Sequence, residues 1–253
     1  MSSLNLLVQL IKRLRGPEGC PWDQKQKMID MPLQLLEECH EVIEAIHNND
    51  TAAIQEELGD LLFVILLTCD TAAVEENISL ERICSGIYEK MVHRHPHVFA
   101  KDTSPPLSWE ELKQQEKRRS SLLDGIPNTL PALQFAQKQA SRVAKVGFDW
   151  PNIHGVINKV KEEFMELQEA IAEQNEKHIE HELGDLLMAC ANVGRKLKIS
   201  AEFALKKASQ RFAQRFQWME QNTTTPLTEL SEHELDSLWN RAKAHLDNSK
   251  TRP

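Results

Sequence analysis

Two segments of this chain carry the same acidic pattern at one fixed shift. Glu37-Glu38-Cys39-His40-Glu41-Val42-Ile43-Glu44-Ala45-Ile46 matches Glu162-Glu163-Phe164-Met165-Glu166-Leu167-Gln168-Glu169-Ala170-Ile171. Glu57-Leu58-Gly59-Asp60-Leu61-Leu62 matches Glu182-Leu183-Gly184-Asp185-Leu186-Leu187. Both blocks shift by 125 residues, so their separation within each copy is identical. Two matched blocks at one separation require a fold built from two copies of one unit. Fainter echoes agree: Ile78-Ser79 with Ile199-Ser200, Lys90 and Arg94 with Arg211 and Arg215, and Trp22-Asp23 before the first copy with Asp149-Trp150 before the second.

The unit is helical. Only 9 glycines and one tyrosine occur in 253 residues, and long stretches rich in Glu, Lys, Leu, Ala and Gln favour helices over strands. In the first half, helices are expected over 2–15, 32–47, from Asp50 or Thr51 to about Glu76, and from after Ser79 to the break at His95-Pro96-His97. In the second half they are expected over Ile153–Glu173, Lys177–Leu197, Ser200–Gln221 and Ser231–Asp247. A polar helix from Ser108 to about Ser121, followed by Gly125, Pro127 and Pro131, reads as the connection. The expected organisation is a helical domain over 1–100, a helical, proline-containing linker over 101–131, and a second helical domain over 132–253.

The repeated acids define a candidate metal site. Glu163 and Glu166 are three apart and share a helix face, as do Glu182 and Asp185 on the next helix. A short turn between the helices makes them antiparallel neighbours, which gathers four carboxylates. Bare carboxylates so placed repel, and a hard divalent cation such as Mg²⁺, which keeps several waters, relieves the repulsion. The first copy offers the equivalent set Glu38, Glu41, Glu57 and Asp60. A solvated acidic face is the bland alternative, but both copies run directly from these acids into leucines, which places the acids beside a buried segment. Gly184, costing about 1 kcal/mol in a helix interior, suggests a close approach between helices.

Cations for an anionic substrate are also present. Lys207, Arg211 and Arg215 are four apart along one helix face, and Arg binds phosphate bidentately. Lys159 stands one turn before Glu163, where the first copy has Gln34. Glu162 sits about 100° round the helix from Glu163, at the edge of the acidic face. His181 is placed at the pocket mouth; its counterpart is Glu56. Leu61–Leu67 reads as a segment buried on all sides, in the core or a dimer interface.

The combination resembles the MazG-like all-α nucleoside triphosphate pyrophosphatases. The resemblance rests on the doubled ExxE–gap–ExxD pattern together with Gly19-Cys20-Pro21-Trp22-Asp23, Arg94-His95-Pro96-His97-Val98-Phe99 and Val146-Gly147-Phe148-Asp149-Trp150, and covers about residues 6–243. It implies two tandem MazG-like bundles that hydrolyse an NTP or dNTP to the monophosphate and pyrophosphate with Mg²⁺. Glu163, Glu166, Glu182 and Asp185 would then bind the metal, and Lys159, His181, Asp185, Lys207, Arg211 and Arg215 would line the triphosphate. Glu162 and Glu163 would serve the attacking water, Glu162 being alternatively a solvent-facing neighbour. Trp239 would stack on the base or, alternatively, anchor the terminal helix.

Other classes fit less well. A net charge of −8 disfavours a stable nucleic-acid binder or a membrane-surface protein. Five cysteines without a CxxC pair indicate reduced thiols, and no long apolar run or signal pattern is visible, so a cytoplasmic protein is expected. His181-Glu182 lacks the second histidine of a zinc protease motif. A di-iron oxygenase would need Glu-x-x-His pairs that neither quartet supplies. A narrower enzyme for dUTP or damaged nucleotides, and a helical adaptor without activity, remain the alternatives. Copies of such a unit, with a helix apolar on every side, are expected to pair as a homodimer.

Overall fold

The computed structural model describes residues 2–99 and 121–249, and no strand occurs among them. The chain divides into two compact units, residues 1–117 and 118–253.

In the first unit, α1 (Ser3–Arg15) is capped by the Ser2 hydroxyl. A short α2 (Pro21–Lys25) precedes α3 (Met31–Asn48) and α4 (Thr51–Glu75). The reversal between α3 and α4 needs few residues because Asn49 adopts the left-handed region (φ 54°) and the Asp50 carboxylate caps α4 through the amides of Ala52 and Ala53. α5 (Leu80–Arg94), capped by Ser79, and a final turn α6 (Pro96–Phe99) follow. Ile11, Met31, Leu66 and Leu67 form the core with Phe63 and Leu80 packed against them. Within one chain the Leu61–Leu67 segment is one-sided and not enclosed by the core: Leu66 and Leu67 face that core, while Leu62 and Ile65 are 40% and 43% exposed. A 3.6-residue period has to turn part of any apolar run away from a single neighbour.

The second unit repeats this plan with an added arm. α7 (Ala132–Val143) corresponds to α1, and sequence reading missed it. α8 (Ile153–Ala172) is capped by Asn152, and α9 (Glu176–Lys196) by Asn175. Next come α10 (Ala201–Gln221), capped by Ser200, and α11 (Glu232–Ser249). Gln137 on α7 ties the α9–α10 corner: its amide donates to the carbonyls of Ala191 and Ile199 and accepts from Ala201 N. Gly194 is required there, since a Cβ would come within 2.8 Å of the Gln137 amide and the Ile199 carbonyl. The arm closes on Met219, Leu238 and Ala242. Arg142 holds the carbonyls of Leu122 and Asp124 against α7. The helix expected from Ser108 lies, for residues 108–120, outside the described residues, as do Trp109 and the basic run Lys117-Arg118-Arg119.

An ionic clasp anchors each acidic hairpin. In the first unit Arg15, at the end of α1, donates to Asp70 of α4 (2.8 Å) and to the carbonyls of Asp23 and Gln26. In the second, Arg195 and Lys196 of α9 pair with Asp149 at 2.5 and 2.7 Å, and Lys196 also donates to the Trp150 carbonyl. Asp70 and Arg195 occupy equivalent repeat positions, so the polarity of the clasp is reversed between the copies.

Candidate active site

α8 packs along α9 in the second unit, and Ala170, Ala189 and Ala191 on these helices are buried. Against this background two acids are buried: Glu163 is 4% and Glu182 7% exposed. A buried carboxylate needs compensation, and each has it. Lys159, one turn before Glu163, places Nζ 2.6 Å from both Glu163 Oε1 and Glu162 Oε1. Hydrogen bonds to Glu162 and then to Glu163 drive the Lys159 ammonium well above its ordinary pKa. Glu166 shares a hydrogen bond with Glu163 that, with burial and the charges of Glu163 and Glu182, lifts its carboxyl above the usual range. Carboxylate oxygens of Glu162, Glu163 and Glu166 lie within 4.8 Å of one another.

Across the interface, α9 presents a mixed cluster. His178 Nε2 is 3.1 Å and His181 Nδ1 3.2 Å from the same oxygen, Glu182 Oε1, and His181 also reaches Asp185 Oδ2 at 3.3 Å. The Glu182 hydrogen bond, followed by the Asp185 charge, raises the His181 pKa. The two clusters sense each other: Glu182 acts electrostatically on Glu166, and Glu163 on His181. The structure thus gathers Lys159, Glu162, Glu163, Glu166, His181, Glu182 and Asp185 on facing helices. His178 was missed in the sequence, although its i,i+4 spacing to Glu182 was visible there.

The first copy holds Glu38, Glu57 and Asp60 with donor oxygens within 4.8 Å of one another. Burial, and then Glu41 and Asp60, push the Glu38 carboxyl up; burial and a hydrogen bond to Glu41 do the same for Glu57. Glu38 Oε2 is buried and has no hydrogen-bond partner. Where the second copy has Lys159, His178 and His181, the first has Gln34, Ala53 and Glu56. Gln34 turns its amide to Gln26 Oε1 at 2.9 Å. Among the described residues no cation contacts this quartet. An all-oxygen donor set with a buried, partnerless carboxylate oxygen fits a hard divalent cation.

The remaining candidates stand on the arm. Lys207 and Arg211 are exposed on α10 and make no hydrogen bond or ion pair with the carboxylates. Arg215 lies 5.8 Å from the Trp239 ring centroid, with Phe212 at 5.2 Å on the same ring. Trp239 therefore both borders the arm core and offers a ring with cations nearby, Lys243 being the second at 5.9 Å. Gly184 does not serve close packing within the chain: a Cβ there would meet nothing within 4 Å, and the same holds at Gly59.

A sequence profile of the MazG nucleotide pyrophosphohydrolase domain matches residues 26–99 and again 152–222. The chain belongs to the MazG family. Each match contains one complete carboxylate quartet. Over 94% of this chain and 94% of its own length, the nucleoside triphosphate pyrophosphohydrolase/pyrophosphatase MazG of Thermotoga maritima is 38% identical. A nucleoside triphosphate pyrophosphohydrolase of Escherichia coli is 38% identical over 96% of this chain and 98% of its own length. YabN of Bacillus subtilis is 41% identical over 92% of this chain and 50% of its own length. Two tandem all-α MazG domains are thus the organisation of this molecule. Among the described residues no helix is long and apolar enough to cross a membrane.

Proposed function

We propose that this protein hydrolyses nucleoside and deoxynucleoside triphosphates to the monophosphate and pyrophosphate, using Mg²⁺ held by Glu163, Glu166, Glu182 and Asp185. The observation that carries the reading is the pair of facing carboxylate clusters on α8 and α9, in a chain whose full-length relatives are named for this activity. Bound Mg²⁺ supplies charge neutralisation for the triphosphate and polarises the phosphoryl group under attack. The chain's own residues do the rest. Glu163 and Glu182, locked by burial, fix where the ligand oxygens stand. Glu162, at the rim with its side chain 55% exposed, is placed to hold and deprotonate the attacking water. Lys159, His181, Lys207, Arg211 and Arg215 meet phosphate charge, and Trp239 stacks on the base.

Lys207 and Arg211 make no hydrogen bond or ion pair with the carboxylates within one chain, which favours a homodimer whose partner completes the pocket. Exposed Ile157, Phe164, Leu183 and Leu187 on the acidic helices give it an apolar face to bury. The protein acts in the cytoplasm on free nucleotides, with no stable nucleic-acid or membrane partner.

The test is a panel of NTPs and dNTPs with Mg²⁺ in which pyrophosphate is separated from phosphate as product. Glu163→Ala should abolish turnover with helical circular dichroism intact. Phosphate as the only product, or wild-type turnover by the variant, overturns the reading; sedimentation as a strict monomer overturns the dimer.

A further inference from the structure

We infer that the two copies acquire their cation in different ways: the first quartet holds a divalent metal without nucleotide, whereas the second takes it only together with a triphosphate, because Lys159 occupies Glu163 until phosphate draws the ammonium away. The inference rests on the reading above that both quartets bind a divalent cation.

In the second copy the metal's place is already claimed. Lys159 Nζ, 2.6 Å from Glu163 Oε1 and equally close to Glu162, is a permanent unit charge on two of the acids. His178 and His181 donate to the remaining buried acid, Glu182. A cation arriving alone must displace that ammonium from buried Glu163 and leave it only the rim contact with Glu162. A cation arriving with a triphosphate brings new oxygens within reach of Lys159, whose side chain is 35% exposed. Release of Glu163 and capture of phosphate are then one exchange, with no net loss of ion pairs.

In the first copy nothing among the described residues competes. Gln34 is neutral and turned to Gln26, and Ala53 and Glu56 replace the two histidines. Glu38 Oε2 is buried without a partner, and the mutual repulsion of Glu38, Glu41 and Asp60 stands unrelieved. Such a site gains from a lone cation whatever the nucleotide supply. The first copy is thus a standing metal site, and the second a latched one.

Mn²⁺ is the probe, its free aquo signal followed by electron paramagnetic resonance on the full chain, with and without a non-hydrolysable α,β-imido nucleotide. One tight Mn²⁺ per chain is expected without nucleotide, lost in Glu38→Ala/Glu41→Ala and kept in Glu163→Ala/Glu166→Ala. The analogue should bring in a second. Lys159→Gln should let the second site fill without the analogue, its affinity rising roughly tenfold or more for removal of one competing charge. Gln34→Lys should weaken the first site correspondingly. Two equal sites in the absence of nucleotide, or a second site that still needs the analogue in Lys159→Gln, overturn the inference. Mn²⁺ binding that is absent under both conditions, or insensitive to both double variants, overturns the metal reading itself as well. Circular dichroism checks that each variant is folded.

Discussion

Glu38→Gln is a substitution whose effect on stability should change sign with Mg²⁺. The amide keeps the shape of the side chain and removes the charge. In the metal-free protein Glu38 Oε2 is buried without a partner, and Glu41 and Asp60 repel it. The amide is as unpartnered as the carboxylate it replaces, so the gain comes from removing the like-charge repulsion, about 1 kcal/mol at a partly solvated site. For a unit of this size about 1 kcal/mol moves Tm by roughly 4–8 °C, so the variant should melt that much higher in EDTA. With Mg²⁺ the order reverses. A ligand at a hundredfold excess over Kd stabilises the wild type by about 2.7 kcal/mol, and a variant short of one ligand gains little. The pH response has a definite sign. Because the folded carboxyl is raised, ionising it destabilises the fold, so metal-free wild type should gain stability as pH falls toward the unfolded value of 4.5, and the variant should lack that gain. Scanning calorimetry in EDTA and in Mg²⁺ measures both. A lower Tm for Glu38→Gln in EDTA, or the same response to Mg²⁺ in both proteins, would refute the reasoning.

Paired knockouts compare the copies: Glu163→Ala/Glu166→Ala should slow hydrolysis of common NTPs at least a hundredfold more than Glu38→Ala/Glu41→Ala, since among the described residues only the second copy has a lysine beside its acids, a contact of a few kcal/mol at roughly 1.4 kcal/mol per factor of ten. Equal losses, or a larger loss from the first pair, would sink that asymmetry. Asp149→Asn should lower the urea midpoint at pH 7 by the equivalent of about 1–2 kcal/mol after allowing for solvent screening. Hydrogen bonds from Arg195, then Lys196, hold the Asp149 carboxyl down to about 2, so this stability is present above pH about 4 and fades between there and pH about 2; an unchanged midpoint at neutral pH contradicts the clasp. Gly184→Ala, with open space around the new Cβ, should stabilise the monomeric chain by about 1 kcal/mol; a loss of stability or of the dimer would mean that a partner surface reaches that point.

The sequence carried the helical register well because the repeat doubled every signal. Asp50, Ser79, Asn175 and Ser200 sit at caps, and the acids mark one face of each hairpin. What escaped was set by tertiary contact. α7 follows Pro131 in a stretch with no residue match to α1, so neither repeat nor motif announced it; Gln137 fastens it to α9 and α10 over more than fifty residues. His178 gave only an i,i+4 spacing in a polar helix, a pattern that means nothing until its ring is seen on Glu182. The one-sidedness of Leu61–Leu67 depended on which neighbours α1 and α3 provide, and the purpose assigned to Gly184 on a neighbour the chain does not supply. Lys207, Arg211 and Arg215 were correctly read as one face, but adjacency along a helix says nothing about which pocket that face addresses.

The reversed clasps bear on how a chain with two similar halves avoids tangling. Tandem homologues invite exchange of matching pieces during folding, one hairpin docking where its sibling belongs. Here that mistake is penalised by charge. An α8–α9 hairpin seated in the first unit would set Arg195 against Arg15, and an α3–α4 hairpin seated in the second would set Asp70 against Asp149. Each incorrect pairing replaces a short ion pair with a like-charge contact at a partly buried position, a discrimination of the kind that repulsive contacts provide between partners. A single inversion of sign between equivalent positions therefore lets each half recognise its own hairpin, even though both carry the same carboxylate quartet.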